Sequence, residues 1–194
     1  MEYTKFIKED YLKQVLKGKE VELKEDWERA LVGFQVIAKL VARVSENALH
    51  FLEPIPDSFL ENFSNGKTIE FNEENKKYLF YIIRAKNLLE LAIPLSIRNL
   101  KTLHTIIDKE KEKIPGEFWV YYVAANKLEE EVCNGLLDQV KGIENSLEDC
   151  FPQNQKEIEE VKKQLEEKKA ETKKDIKKVY ARINEVLHLM LEEG

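Results

Sequence analysis

Every long apolar pattern in this chain repeats at three and four residues, and no stretch alternates at two. Alternation would lay one face of a strand on a core; three-and-four spacing lays one stripe of a helix there. The chain is therefore expected to be all-α. Seven glycines and five prolines punctuate 194 residues, so the helices are long and the turns few.

The pattern predicts the elements in order. Residues 3–17 carry Phe6, Ile7, Tyr11, Leu12, Val15 and Leu16, a short amphipathic helix stopped near Gly18. A long helix spans 25–52, with Trp27, Leu31, Phe34, Ala38, Val41 and Ala48 inward, Leu49 at an inward position and His50 toward solvent. Pro54 and Pro56 end it. Phe59, Leu60 and Phe63 mark a short helical turn. Asn72 with Glu73 and Glu74 reads as a capped helix start, acids facing the positive end of the helix dipole. That helix is expected to kink or stop at Pro94, which lacks an N–H and clashes with the preceding turn. A second stretch, 95–111, follows. Residues 117–150 form the next helix, with Phe118, Tyr122, Val132, Leu136, Val140, Ile143 and Leu147 in line, and 155–192 form the last. Its seam, Ile158 to Met190, suits a coiled coil or a helical hairpin.

Composition narrows the function classes. The net charge is −6, and the Lys runs are interleaved with Glu, so no nucleic-acid surface is expected. Lys39 and Arg43 break the best candidate membrane span. Nothing at residues 1–20 resembles a signal peptide, since Lys5, Lys8, Glu9 and Asp10 interrupt it. Cys133 and Cys150 form no CxxC pair and read as small buried hydrophobes of a cytoplasmic protein. No repeat or low-complexity linker divides the chain, so a single domain over 1–194 is expected.

Few residues carry chemistry. Glu185–His188 is a single Glu-x-x-His, where a di-metal bundle needs two, and His188 points away from its own apolar stripe. Cys133 and Cys150 lack zinc-ligand spacing. There is no glycine-rich phosphate loop, and no nucleophile stands in a recognisable setting, so no enzymatic activity is expected. His104 remains. Of three histidines it alone lies at the rim of an apolar stripe, one turn after Leu100 and beside Ile107. Such a residue bonds a neighbouring helix, ligates a metal, or ligates a buried cofactor.

Three segments in order resemble the sensor domain of the globin-coupled sensors, the haem-binding sensing relatives of globins. Arg98–Asn99 through Leu103–His104 is similar to that family's basic run leading to its proximal histidine. Pro115 through Phe118–Trp119, with Tyr121 and Tyr122, is similar to the opening of its next helix. Lys178 through Ile183–Asn184 to Leu191–Glu192 is similar to its last globin helix.

The resemblance implies a globin-like helical domain with an extended C-terminal antiparallel hairpin, residues 142–170 protruding as an arm. It implies a haem-based gas or redox sensor, with His104 as the iron ligand and Leu100, Ile107, Tyr81, Leu88 and Phe118 walling the pocket. With Leu49 where the family places a distal tyrosine, Tyr78 or Tyr81 becomes the distal group. A diatomic gas would be the ligand. The signal would pass through the last two helices to an output domain or partner, with a homodimer formed through 117–192. The alternative is a haem-free globin-like or plain helical-bundle module for protein–protein interaction, using the 117–192 hairpin.

Overall fold

The computed structural model describes residues 25–187, whose regular elements are all helical, with no strand among them. They form α1 (Asp26–Leu52), α2 (Asp57–Ser64), α3 (Glu73–Glu110), a 3-10 turn (Lys111–Lys113), α4 (Gly116–Cys150) and α5 (Gln155–Leu187). The helix expected over 3–17, His188 and the end of the last helix lie outside the described residues. No described helix is long and apolar enough to cross a membrane.

Local chemistry accounts for the ends. The Asn72 side-chain carbonyl accepts the Asn75 backbone N–H at 2.9 Å, capping α3 where the sequence places its start. Past α2 the chain turns back through Gly66, at φ +64°, a conformation that favours glycine. After α4, Gln155 donates from Nε2 to the carbonyls of Leu147 and Phe151 at 3.1 and 2.8 Å, so one side chain supplies two of the donors that the helix end lacks.

Of the two outcomes expected at Pro94, the helix does not stop there: α3 runs through it as one helix of 38 residues. Pro94 is exposed, which leaves its ring room, while Leu91 and Leu95 on either side are buried. Their burial offsets the lost backbone bond, a cost of about 3 kcal/mol in a helix interior.

Contacts divide the chain into two compact units. The first, within the described residues, holds 25–42, 94–133 and 172–187. Its core gathers Trp27, Phe34, Leu103, Ile107 and Ile114, with Leu31, Leu100, Phe118, Trp119, Tyr122 and Ala125 packed against them. Polar ties are buried beside this core. Asn99 donates from Nδ2 to the Phe34 carbonyl at 3.1 Å, and Ser96 donates its hydroxyl to Glu129 at 2.5 Å.

The second unit holds 43–93 and 134–171. Its core joins Ile55, Phe59 and Phe63 to Leu79, Ile82 and Ile83 of α3, Leu147 and Cys150 of α4, and Ile158, Val161 and Leu165 of α5. The seam of 142–170, the segment expected as an arm, is covered by α2 and by the first half of α3. Cys150 donates its thiol to the Phe63 carbonyl at 3.5 Å, and the Ile69 N–H donates to the Cys150 carbonyl at 3.0 Å. Lys86, 6% exposed, bridges Glu90 and Glu144 at 2.6 and 3.1 Å, and Lys169 reaches Glu90 at 2.5 Å. Burial alone would lower the Lys86 pKa and raise that of Glu90. The ion pairs outweigh it, so Lys86 stands above its ordinary value and Glu90 below.

Candidate functional site

His104 sits on α3 one residue beyond the buried row Ser96, Asn99, Leu103 and Ile107. That row follows three-and-four spacing, so the next position turns outward, and His104 is exposed. Its Nε2 meets Asn126 Oδ1 on α4, and its ring lies edge-on to Tyr122 with centroids 6.3 Å apart. Asn126 donates from Nδ2 to Glu130 at 3.2 Å, which orients the amide with its oxygen toward His104. A carbonyl oxygen only accepts, so Nε2 carries the proton in this pairing. The result is a surface chain, His104–Asn126–Glu130, tying α3 to α4.

The seven residues expected at the site separate. Leu100, Ile107 and Phe118 join one core in the first unit, the core on which Tyr122 packs. Tyr78, Tyr81 and Leu88 belong to the second unit. Tyr78 packs edge-on to Phe59 at 5.1 Å and donates its hydroxyl to Glu74 at 2.8 Å; Tyr81 packs on the same core; Leu88 is buried. His104 Nε2 faces Asn126, and Leu103 and Ile107 pack with Trp27 and Phe34. Leu49, expected inward, is 65% exposed, because the buried row of α1 runs Ile37, Val41, Val44, Ala48. Among the described residues no group of three or more His, Cys, Asp and Glu side chains is placed to hold a metal.

A different feature stands out on α4, which is apolar on two sides. Phe118, Tyr122, Ala125, Glu129 and Cys133 form the side turned into the protein, half-buried or buried. On the other side Val120, Ala124, Leu128 and Val132 follow one another at four-residue steps, all exposed, with Tyr121 beside them. Val120 keeps 73% of its surface in solvent and Leu128 63%. Residues four apart stack along one helix face, so these side chains make a continuous ridge. Lys127, Glu130 and Glu131 rim it, all exposed. Sequence reasoning took Val132 as inward and passed over the rest. The signal was there, since apolar residues occupy both 118, 122, 125 and 120, 124, 128.

Under the ridge lies Glu129, 4% exposed. Burial pushes its carboxyl pKa up, and the Ser96 hydrogen bond only partly opposes this. The ridge itself offers no nucleophile, acid or ligand set. What it can do is bury apolar surface against another chain. No family model, no curated protein and no solved structure matches the chain.

Proposed function

We propose that this chain is a non-enzymatic helical module that docks a protein partner on the exposed ridge of α4. One observation carries the reading: Val120, Ala124, Leu128 and Val132 form an unbroken apolar row in solvent on a helix whose opposite side already serves the core. Isolated exposed apolar residues are ordinary, but a contiguous patch marks a binding surface. Covering a Val or Leu side chain contributes roughly 1.5–3 kcal/mol, so such a row is enough to anchor a partner helix. Ala124 lowers the middle of the ridge and admits a larger side chain from the partner. Affinity capture from the source organism's lysate tests this: a protein retained by the wild type and by Lys163→Glu is lost with Leu128→Glu, and equal recovery by all three contradicts it.

The second reading is the haem-based sensor, with a globin-like helix arrangement and His104 as iron ligand. In its favour, Leu100, Ile107 and Phe118 share the core on which Tyr122 packs, and Tyr122 touches His104. It requires Nε2 to exchange Asn126 for iron and the core to open for a porphyrin. Its mark is a Soret band, with haem supplied, that His104→Ala removes.

A further inference from the structure

We propose that the outer face of α5 between Lys173 and Arg182 binds a short acidic segment of a protein. This stands on a different observation from the α4 ridge and does not depend on it. Up to Glu171 the charges of α5 alternate, residues 156–171 holding five lysines and six glutamates. From 172 to 183 the alternation ends. Lys173, Lys174, Lys177, Lys178 and Arg182 stand with one carboxylate, Asp175, in a chain whose net charge is −6. All five cations are exposed, while Thr172, Ile176, Val179, Tyr180 and Ile183 form the buried side of the same turns.

The cations stand in two columns. Lys173 and Lys177 make one, and Lys174, Lys178 and Arg182 the other, each at four-residue steps along the helix. Like charges at that spacing repel, so the arrangement costs the helix stability. The helix dipole does not account for it, because it acts within the last turn and the last described turn of α5 holds no basic residue. Asp175 reaches Lys178 at 3.4 Å, and Glu185 reaches Arg182 at 2.8 Å. Lys173, Lys174 and Lys177 have no carboxylate at ion-pair distance among the described residues. Arg98 of α3 borders the first column, its guanidinium 5.9 Å from the ring of Tyr180, three residues after Lys177.

The patch has the chemistry and the length for an acidic peptide. Helical rise separates Lys173 from Arg182 by about 13 Å. An extended chain spans that in about four residues. Glu171 and Glu185, both exposed, close the patch at either end. A longer polyanion runs past the cations onto these carboxylates, as a duplex with a charge every ~1.7 Å does, and so does the face of an anionic bilayer. The exposed side chains of 172–183 include no aromatic to stack on a base or to enter a membrane. Carboxylates on a short segment meet both columns without reaching the acidic ends.

Amide chemical-shift mapping of the full chain at low salt tests this, with a capped peptide of five glutamates as probe and its five-glutamine counterpart as control. The glutamate peptide is expected to shift the amides of 173–182 saturably, less so as salt rises, and the glutamine peptide not at all. Lys174→Gln with Lys178→Gln and, independently, Lys173→Gln with Lys177→Gln are each expected to raise its Kd about fivefold. Lys163→Gln, in the alternating stretch, is expected to change it less than about twofold. The repulsion each pair removes offsets any lost ion pair, so no drop in thermal midpoint is expected, and weaker binding is then not a loss of fold. Absence of saturable shifts at 173–182, or a Kd as sensitive to Lys163→Gln as to either pair, overturns the proposal. So does tighter binding at the same residues of a short uridine RNA, or of vesicles of phosphatidylserine and phosphatidylcholine, which assigns the face to that polyanion.

Discussion

His104 Nε2 and Asn126 Oδ1 face each other across the α3–α4 surface, and Glu130 holds the Asn126 amide in that orientation. The pairing satisfies His104 by an ordinary structural bond. His104→Ala is expected to destabilise the protein by about 0.5–1.5 kcal/mol, the net worth of one intramolecular hydrogen bond. Chemical denaturation measures it. With haem supplied, wild type and His104→Ala are expected to give the same spectrum between 350 and 650 nm.

Ser96 and Glu129 pair out of water with no cation among the influences on the Glu129 pKa. A carboxyl whose folded-state pKa is raised holds its proton longer in the native protein than in the unfolded chain. Folding stability therefore falls as pH rises, beginning near the ordinary value of 4.5 and levelling off above the raised folded value. Glu129→Gln keeps an acceptor for the Ser96 hydroxyl and has nothing to ionise. Urea unfolding across pH 4.5–8 is expected to show this decline in the wild type and to show it reduced in Glu129→Gln.

Lys86, Glu90 and Lys169 act in the opposite pH range. Glu90 is held below its ordinary value, so its contribution is present above pH 4.5 and is lost as pH falls through the folded value. Glu90→Ala leaves Lys86, 6% exposed, with Glu144 as its remaining carboxylate partner. The expected loss is roughly 2–3 kcal/mol, less than the 3–5 of a fully buried pair because Glu90 keeps part of its side chain in water. Wild type and Glu90→Ala unfolding curves are expected to approach one another as pH falls below 4.5. A constant separation from pH 7 to pH 3 contradicts an electrostatic origin.

The contrast between Leu103 and Leu128 separates core from surface. Leu103 is fully buried, and Leu103→Ala is expected to cost about 2–5 kcal/mol through transfer and cavity terms. Leu128→Glu replaces a side chain already 63% in solvent and is expected to shift stability by no more than about 0.5 kcal/mol. Thermal unfolding of the two variants checks the pair. A loss near 2 kcal/mol for Leu128→Glu contradicts the exposed placement of the ridge.

Much of the helical plan was legible in the sequence because it is local. The Asn72 cap, Pro54 and Pro56 after α1, and the turn at 151–154 are each set by a few neighbouring residues. What was not legible depends on tertiary partners. Pro94 is absorbed because its neighbours are buried and its ring is not. Leu49 and Ala48 are adjacent, and only the packing of α1 decides which of them turns outward. Residues 142–170 have a seam that fits a free hairpin as well as a hairpin covered by α2 and α3. His104 at the rim of its stripe was visible, but its partner Asn126 is set by how α3 lies on α4, which periodicity does not encode.

The α4 ridge as a docking face is tested most directly by photo-crosslinking in the living source organism. A photoreactive phenylalanine analogue is placed at Leu128, and at Lys163 as a surface control. Position 128 is expected to give a discrete adduct with a different protein that Val120→Glu abolishes, and position 163 none. Adducts at 128 no more frequent than at 163, or indifferent to Val120→Glu, would contradict a docking role for the ridge.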